Sequence, residues 1–237
     1  MKPQEGLTEL TRLIQAQKKK IAVVACEVLA REICYAGLIT SNIVHLVFKT
    51  KGLHDNPDKM REELQEDIDK ISFSSSEEYQ AIVLAYGLCS NGTMGLIARN
   101  IPLIIPKAHD CITLFLGSKE RYAEEFSKNP GTYYFTTGWV ERGSESVGRT
   151  SASGYGLGKT YEEYVELYGE DNARYLFELE QSWLIRYNLA TYIDMKLPMP
   201  FSYEDDVKKE AERRGWKYKK IEGDMKLILD SINGNWD

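Results

Sequence analysis

The chain has 237 residues, 43% of them hydrophobic and 28% charged, a balance that excludes collagenous, mucin-like and largely disordered classes. Lys and Arg number 30 against 36 Asp and Glu, a formal net charge of −6, so no overall field draws the chain to nucleic acid. No stretch approaches the roughly 18 uninterrupted apolar residues of a membrane span, and no apolar signal segment opens the chain. A soluble, cytoplasmic, single α/β domain over 1–237 is the expectation.

Residues 1–19, with Leu10, Leu13 and Ile14 before Lys18 and Lys19, read as an amphipathic leading helix ending in a basic cluster. Ile21 to Cys26 is a continuous apolar run, the pattern of a parallel strand buried on both faces. Leu29 to Leu38 reads as a helix and Ile43 to Phe48 as a second strand. Asn56 and Pro57 suit the cap and first position of a charged helix over 58–71. Ser74 to Ser76 with Glu77 and Glu78 open a further short helix, and Ala81 to Tyr86 is a third strand. A Gly-rich turn then leads to a short helix over Met94 to Arg99 and a fourth strand over Pro102 to Ile105. Strands separated by helices at this spacing predict a Rossmann-like, mostly parallel sheet with helices on both faces, its sheet core spanning 20–141.

Cys111 to Leu116 and Lys119 to Lys128 read as helices, with a strand at Thr132 to Thr136. Residues 142–160 turn to Gly, Ser and Thr, as a loop or lid does. Their Gly154 to Thr160 segment ends like a P-loop, but the first glycine is missing and no apolar strand precedes it. Beyond it, 161–237 form a helical part with terminal α/β elements. Tyr161 to Tyr168 and Asn172 to Ile193 read as helices, the latter core-facing along Tyr175, Leu179, Trp183 and Tyr187. Phe201 to Arg213, Trp216 to Ile221 and Met225 to Ile232 read as helix, strand and helix, a second half of the sheet.

Ligands of parallel sheets bind at the carboxyl ends of the strands. Cys26 ends the first strand, Cys89 follows the third, and His109 and Cys111 follow the fourth, while His54 lies in the loop beyond the second. Cys34, in mid-helix, fails that test and reads as a core filler. Neighbouring parallel strands lie about 4.8 Å apart, close enough for thiolates on adjacent loops to share an ion with bonds of about 2.3 Å. Cys26, Cys89, Cys111 and His109 therefore form a candidate zinc set, with His54 as a substitute ligand. Asp110 would orient a ligand, and His109 would alternatively serve as acid or base. The spacing is not that of a zinc finger, which uses close cysteine pairs. A metal-free alternative makes Cys26 and Cys89 a redox pair, or Cys111 a nucleophile with His109 as base. Gly138-Trp139 suits either a packed loop or a cover over the same edge.

At Ala25 to Glu32, Gly52-Leu53-His54, Tyr86-Gly87-Leu88-Cys89 and His109 to Ser118, the sequence resembles a domain family of unknown function from anaerobic bacteria and methanogens. The family is often encoded beside corrinoid-dependent methyltransferases, which implies one-carbon metabolism by association. His109-Asp110-Cys111 is also similar to the first part of the His-x-Cys zinc motif of thiol-methylating enzymes, although no cysteine follows Cys111 to complete it. The expected function is thus a zinc enzyme that activates a substrate thiol for methyl transfer, acting on a small thiol or methylated compound. The alternatives are a noncatalytic accessory module that binds a metal, a corrinoid or a corrinoid protein, and a cysteine-based redox protein.

Overall fold

The computed structural model describes residues 18–74, 78–142, 161–198 and 202–236. The chain is α/β, with two parallel sheets flanked by helices. The first sheet contains β1 (Lys20–Cys26), β2 (Ile43–Lys49), β3 (Ala81–Ala85) and β4 (Leu103–Ile104), in the order β2-β1-β3-β4. Every neighbouring pair is parallel, with Ala25 of β1 level with Phe48 of β2 and Ala85 of β3. The four carboxyl ends therefore share one edge.

Alternation along β1 assigns its residues to two cores. Ala22 and Val24 join Ile82 and Leu84 of β3 and meet Met60, Leu64, Ile68 and Ile71 of α2 (Pro57–Ser72). The three- and four-residue spacing of those α2 residues makes one apolar stripe on an otherwise charged helix. Asn56 caps it, its side chain accepting from Lys59 N–H at 3.1 Å, and Pro57 begins it without a wasted donor. Ile21, Val23 and Ala25 face the other way, toward Ile33 and Ala36 of α1 (Ala30–Ile39).

That second core is shared. It also takes Leu114 to Leu116 of α3 (Cys111–Leu116), which leads through α4 (Lys119–Lys128) to the second sheet. The second sheet contains β5 (Thr132–Phe135), β6 (Leu189–Asp194) and β7 (Lys217–Glu222), in that order and all parallel. Ile193 of β6 enters the shared core, as do Ile228 and Ile232 of α9 (Lys226–Asn233). The opposite face of the sheet, with Phe135, Ala190 and Tyr192, packs on Val207 and Ala211 of α8 (Glu204–Arg214). Between β5 and β6 the chain forms α5 (Thr137–Glu141), α6 (Tyr161–Tyr168) and α7 (Glu170–Leu184).

Several expectations are corrected. Residues 94–99 are turn and irregular backbone, not helix. The helix expected over 172–193 stops at Leu184, and its last third is the central strand β6. Tyr175 and Leu179 are exposed, so that helix face is not core. The predicted strand at 132–136 exists but pairs with β6, so the later elements build a separate sheet rather than extend the first. Cys34 is exposed, because α1 turns Ile33 and Ala36 inward instead. The expected leading helix and the Gly-rich loop fall on residues 1–17 and 143–160, outside the described residues, as do residues 75–77 of the short helix expected after Phe73. No helix among the described residues is long and apolar enough to cross a membrane.

A thiol-lined cavity as the candidate functional site

From β1 the chain crosses to β2 on one side, and from β3 it goes to β4 on the other, so the strand order reverses between β1 and β3. The carboxyl edge at such a reversal is where open α/β sheets leave a crevice. A cavity of about 410 Å3 occupies it. Cys26, Cys89, Cys111, His109, Asp110 and His54, each singled out by its place after a strand, all line this cavity.

Backbone pairing brings the loops together. Leu88 N–H donates to the Ala108 carbonyl at 3.1 Å and Cys89 N–H to the His109 carbonyl at 3.2 Å, so the segment after β3 runs beside the one after β4. Gly87 allows this approach, because a Cβ there would lie 2.5 Å from the Asp110 Cα. The chain then makes a left-handed turn through Cys89, Ser90 and Asn91, with φ of 44°, 56° and 67°. Left-handed backbone costs a residue with a Cβ roughly 1–2 kcal/mol, and such strain concentrates at functional sites. Asp110 caps α3, its carboxylate accepting from Thr113 N–H at 3.1 Å. That capped first turn carries Cys111 into the cavity.

The opposite wall comes from β2 and α5. Lys51, two residues past β2, is 5% exposed, and its Nζ has no hydrogen-bond partner among the described residues. The ammonium lies 3.9 Å from the centroid of the Trp139 ring. Glu27 holds the Lys51 backbone, accepting its N–H at 2.7 Å. Trp139 is placed by the Thr136 hydroxyl, which accepts its backbone N–H at 3.1 Å, and by Gly138, where a Cβ would stand 1.9 Å from the Val28 carbonyl oxygen. The Tyr86 hydroxyl at the end of β3 is likewise buried without a partner. With the Tyr134 hydroxyl and the Trp139 indole N–H, that makes four buried polar groups on residues of one cavity that no described residue satisfies, which marks it as a place for a ligand.

Burial governs the thiols. It pushes Cys26 up to about 12 and Cys89 up to about 11, and it raises Cys111 well above the ordinary thiol value. The sulfurs also couple: a charge on Cys89 raises Cys26, and charges on Cys26 and Cys89 raise Cys111. Lys51 is lowered, mainly by burial, and negative charge on Cys26 and Cys111 opposes that shift. In the metal-free protein at neutral pH all three groups are therefore thiols, not thiolates.

The histidines sit further out. The His109 side chain is 73% exposed, its Nδ1 3.2 Å from Asp110 Oδ2 and its ring stacked on Tyr122. The His54 side chain is 41% exposed, with Nε2 3.2 Å from Asp55 Oδ1. Among the described residues, no group of three or more His, Cys, Asp or Glu side chains is placed where it could hold a metal ion without moving. The three thiols thus share a cavity and an electrostatic environment without forming a ready-made coordination shell.

Residues 48–232 match the model of a family described as a protein of unknown function, DUF1638. The chain belongs to this family. No curated protein and no solved structure matches it. The DUF1638 segment contains Lys51, Cys89, Cys111 and Trp139, whereas β1 and Cys26 precede it.

Sequence reasoning missed Lys51 and Tyr86. The edge rule that selected the cysteines applies equally to both, since Tyr86 follows β3 and Lys51 follows β2. It was a charge and a strand-end aromatic that drew no attention there.

Proposed function

We propose that the chain is an enzyme that binds a small molecule at the β1/β3 edge and holds a soft metal ion, zinc in the first instance, on Cys26, Cys89 and Cys111. The observation that carries this reading is that thiols from three separate loops line one cavity of small-molecule size. Three thiols that burial holds protonated are poor nucleophiles as they stand, which weighs against the metal-free redox and nucleophile alternatives. A soft cation is the partner that makes each a thiolate. Gathering three sulfurs on one ion would require their side chains to move; the loop pairing holds the Cys89 and Cys111 segments side by side, and β1 holds Cys26.

Bound there, zinc would act as a Lewis acid and lower the pKa of a substrate thiol, the chemistry needed to activate it for methyl transfer. This chain's own groups would do the rest. Trp139, Tyr133 and Phe115 exclude water and hold the apolar part of a substrate. Lys51, buried and unpaired, would hold an anionic group on it. His109, at the rim with Asp110 beside it, would exchange a proton with solvent or swing in as a fourth ligand. The one-carbon setting comes from the resemblance noted in the sequence. A cavity of about 410 Å3 is near the low end of small-molecule sites, roughly 300–1,000 Å3, so a corrinoid would dock outside it or arrive on a partner protein.

Elemental analysis of protein purified without added metal tests the reading. About one zinc per chain, lost in both Cys89→Ser and Cys111→Ser, is the expected result. Metal-free protein that takes up no zinc on dialysis contradicts it.

A further inference from the structure

A second cavity, of about 390 Å3, lies at the carboxyl edge of the other sheet. Asp194 ends β6, Lys220 lies near the end of β7, and Thr137 follows β5; all three line it. This cavity too lies beyond the carboxyl ends of parallel strands, here without a reversal in the order β5-β6-β7. On its wall stands Glu32 of α1, a carboxyl group with 0% exposure whose two oxygens are hydrogen bonded to no other residue among those described.

The charges around it are otherwise matched. Arg31 turns away to Glu141, its Nε 2.7 Å from Oε2. Lys220 lies 3.0 Å from Asp194 and 2.5 Å from Glu204, and Lys196 lies 2.9 Å from Asp194. Glu32 is the lining carboxylate that no other described residue donates to, and a buried acceptor so poorly satisfied carries much of the cost of its desolvation. Beside it the hydroxyls of Thr137 and Tyr192 are 2.9 Å apart, and those of Tyr192 and Ser202 3.3 Å. That chain of hydroxyls has unused lone pairs and can accept from or donate to a second polar group.

The geometry points to a second ligand site here, for a small organic ammonium ion that donates N–H groups to Glu32 and places a hydroxyl or similar polar tail on the Thr137–Tyr192–Ser202 chain. A cation suits the site because no described residue forms an ion pair with Glu32, and a positive charge beside it would stabilise the carboxylate. An N–H-bearing amine is required because a quaternary ammonium would leave both oxygens unpaired. Burial raises the Glu32 carboxyl to about 7, while its own backbone N–H and the Arg31 charge only partly oppose that; an ammonium brought alongside would favour the ionised form. This inference rests on Glu32 and its cavity and is independent of the thiols.

Calorimetric titration with ethanolamine at pH 7.5, with choline as the probe lacking N–H donors, tests it. Saturable binding of ethanolamine is expected, weaker by about tenfold or more in Glu32→Gln, as loss of a charge-assisted hydrogen bond implies. Choline is expected to bind at least as weakly as ethanolamine does to that variant, and Cys89→Ser to bind ethanolamine as the unsubstituted chain does. Tyr192→Phe provides a second variant, which removes one hydroxyl from the chain and is expected to weaken ethanolamine several-fold. Absence of saturable ethanolamine binding, equal binding of choline, or unchanged affinity in whichever of the two variants folds would overturn the proposal.

Discussion

Gly87 and Asp110 touch backbone to backbone: a Cβ on Gly87 would fall 2.5 Å from the Asp110 Cα and 2.6 Å from its nitrogen. This contact lets the Leu88 and Cys89 amides reach the Ala108 and His109 carbonyls, and so keeps the Cys89 and Cys111 segments on one cavity. No flexible side chain is present to yield. Gly87→Ala is expected to destabilise the protein by about 1–3 kcal/mol, the ordinary cost of overpacking. The two loops would also part, and thiol titration should show faster modification of Cys89. Wild-type stability and wild-type thiol kinetics in this variant would mean that the loop contact does not position the sulfurs.

Cys26 and Cys89 give metal-free protein a pH signature. Each holds its proton more tightly in the fold, at about 12 and about 11, than in the unfolded chain, where a thiol titrates near 9.0. The stability linked to them is complete below about pH 9 and is lost as pH rises through 11 to 12. Denaturation midpoints of chelator-treated protein should therefore fall between pH 9 and 11, and Cys26→Ala should flatten that fall. An identical pH slope in the variant would show that the thiol is not the group responsible.

Much of this cavity's lining is legible in the sequence, because the rule locating it needs only strand ends. Cys26, Cys89 and Cys111 were found from apolar runs whose carboxyl ends could be counted off the sequence. The second sheet was not legible. Trp183, Tyr187 and Ala190 fall at helical spacing, so the helical pattern of α7 carries on through a turn at residues 185–186 into β6, where no Gly or Pro breaks it. Cys34 was misplaced for a related reason. The faces of a short helix with apolar residues on most sides are settled by its packing partners, here the core around Ile33 and Ala36.

Lys51 carries a buried ammonium with no hydrogen-bond partner, offset by its contact with the Trp139 ring. Removing the charge relieves desolvation, while losing the ring contact costs roughly 0.5–2 kcal/mol. Lys51→Met, which keeps the length and the apolar stem, is expected to change unfolding free energy by less than about 1 kcal/mol. Chemical denaturation checks this. A loss of several kcal/mol would make Lys51 a structural residue rather than one held ready for a ligand.

Glu32 predicts a pH dependence in a lower window. Its carboxyl sits at about 7 in the fold against an ordinary 4.5, so its proton is held more tightly when folded. The associated stability is complete below about pH 4.5 and is lost as pH rises through 7, an effect of order 3 kcal/mol. Glu32→Gln should therefore gain on the unsubstituted chain as pH goes from 5 to 8. Parallel stability curves over that range would mean that Glu32 is ionised and paired.

Cobalt(II) titration of the reduced protein tests the central claim most directly, because thiolate-to-metal charge-transfer bands report sulfur ligation by this stand-in for zinc. One equivalent should give intense near-ultraviolet bands that zinc abolishes, each of Cys26→Ser, Cys89→Ser and Cys111→Ser should reduce them, and Cys34→Ser should leave them intact. Bands that never develop, or that survive all three substitutions, would contradict a metal held by the sulfurs of this cavity.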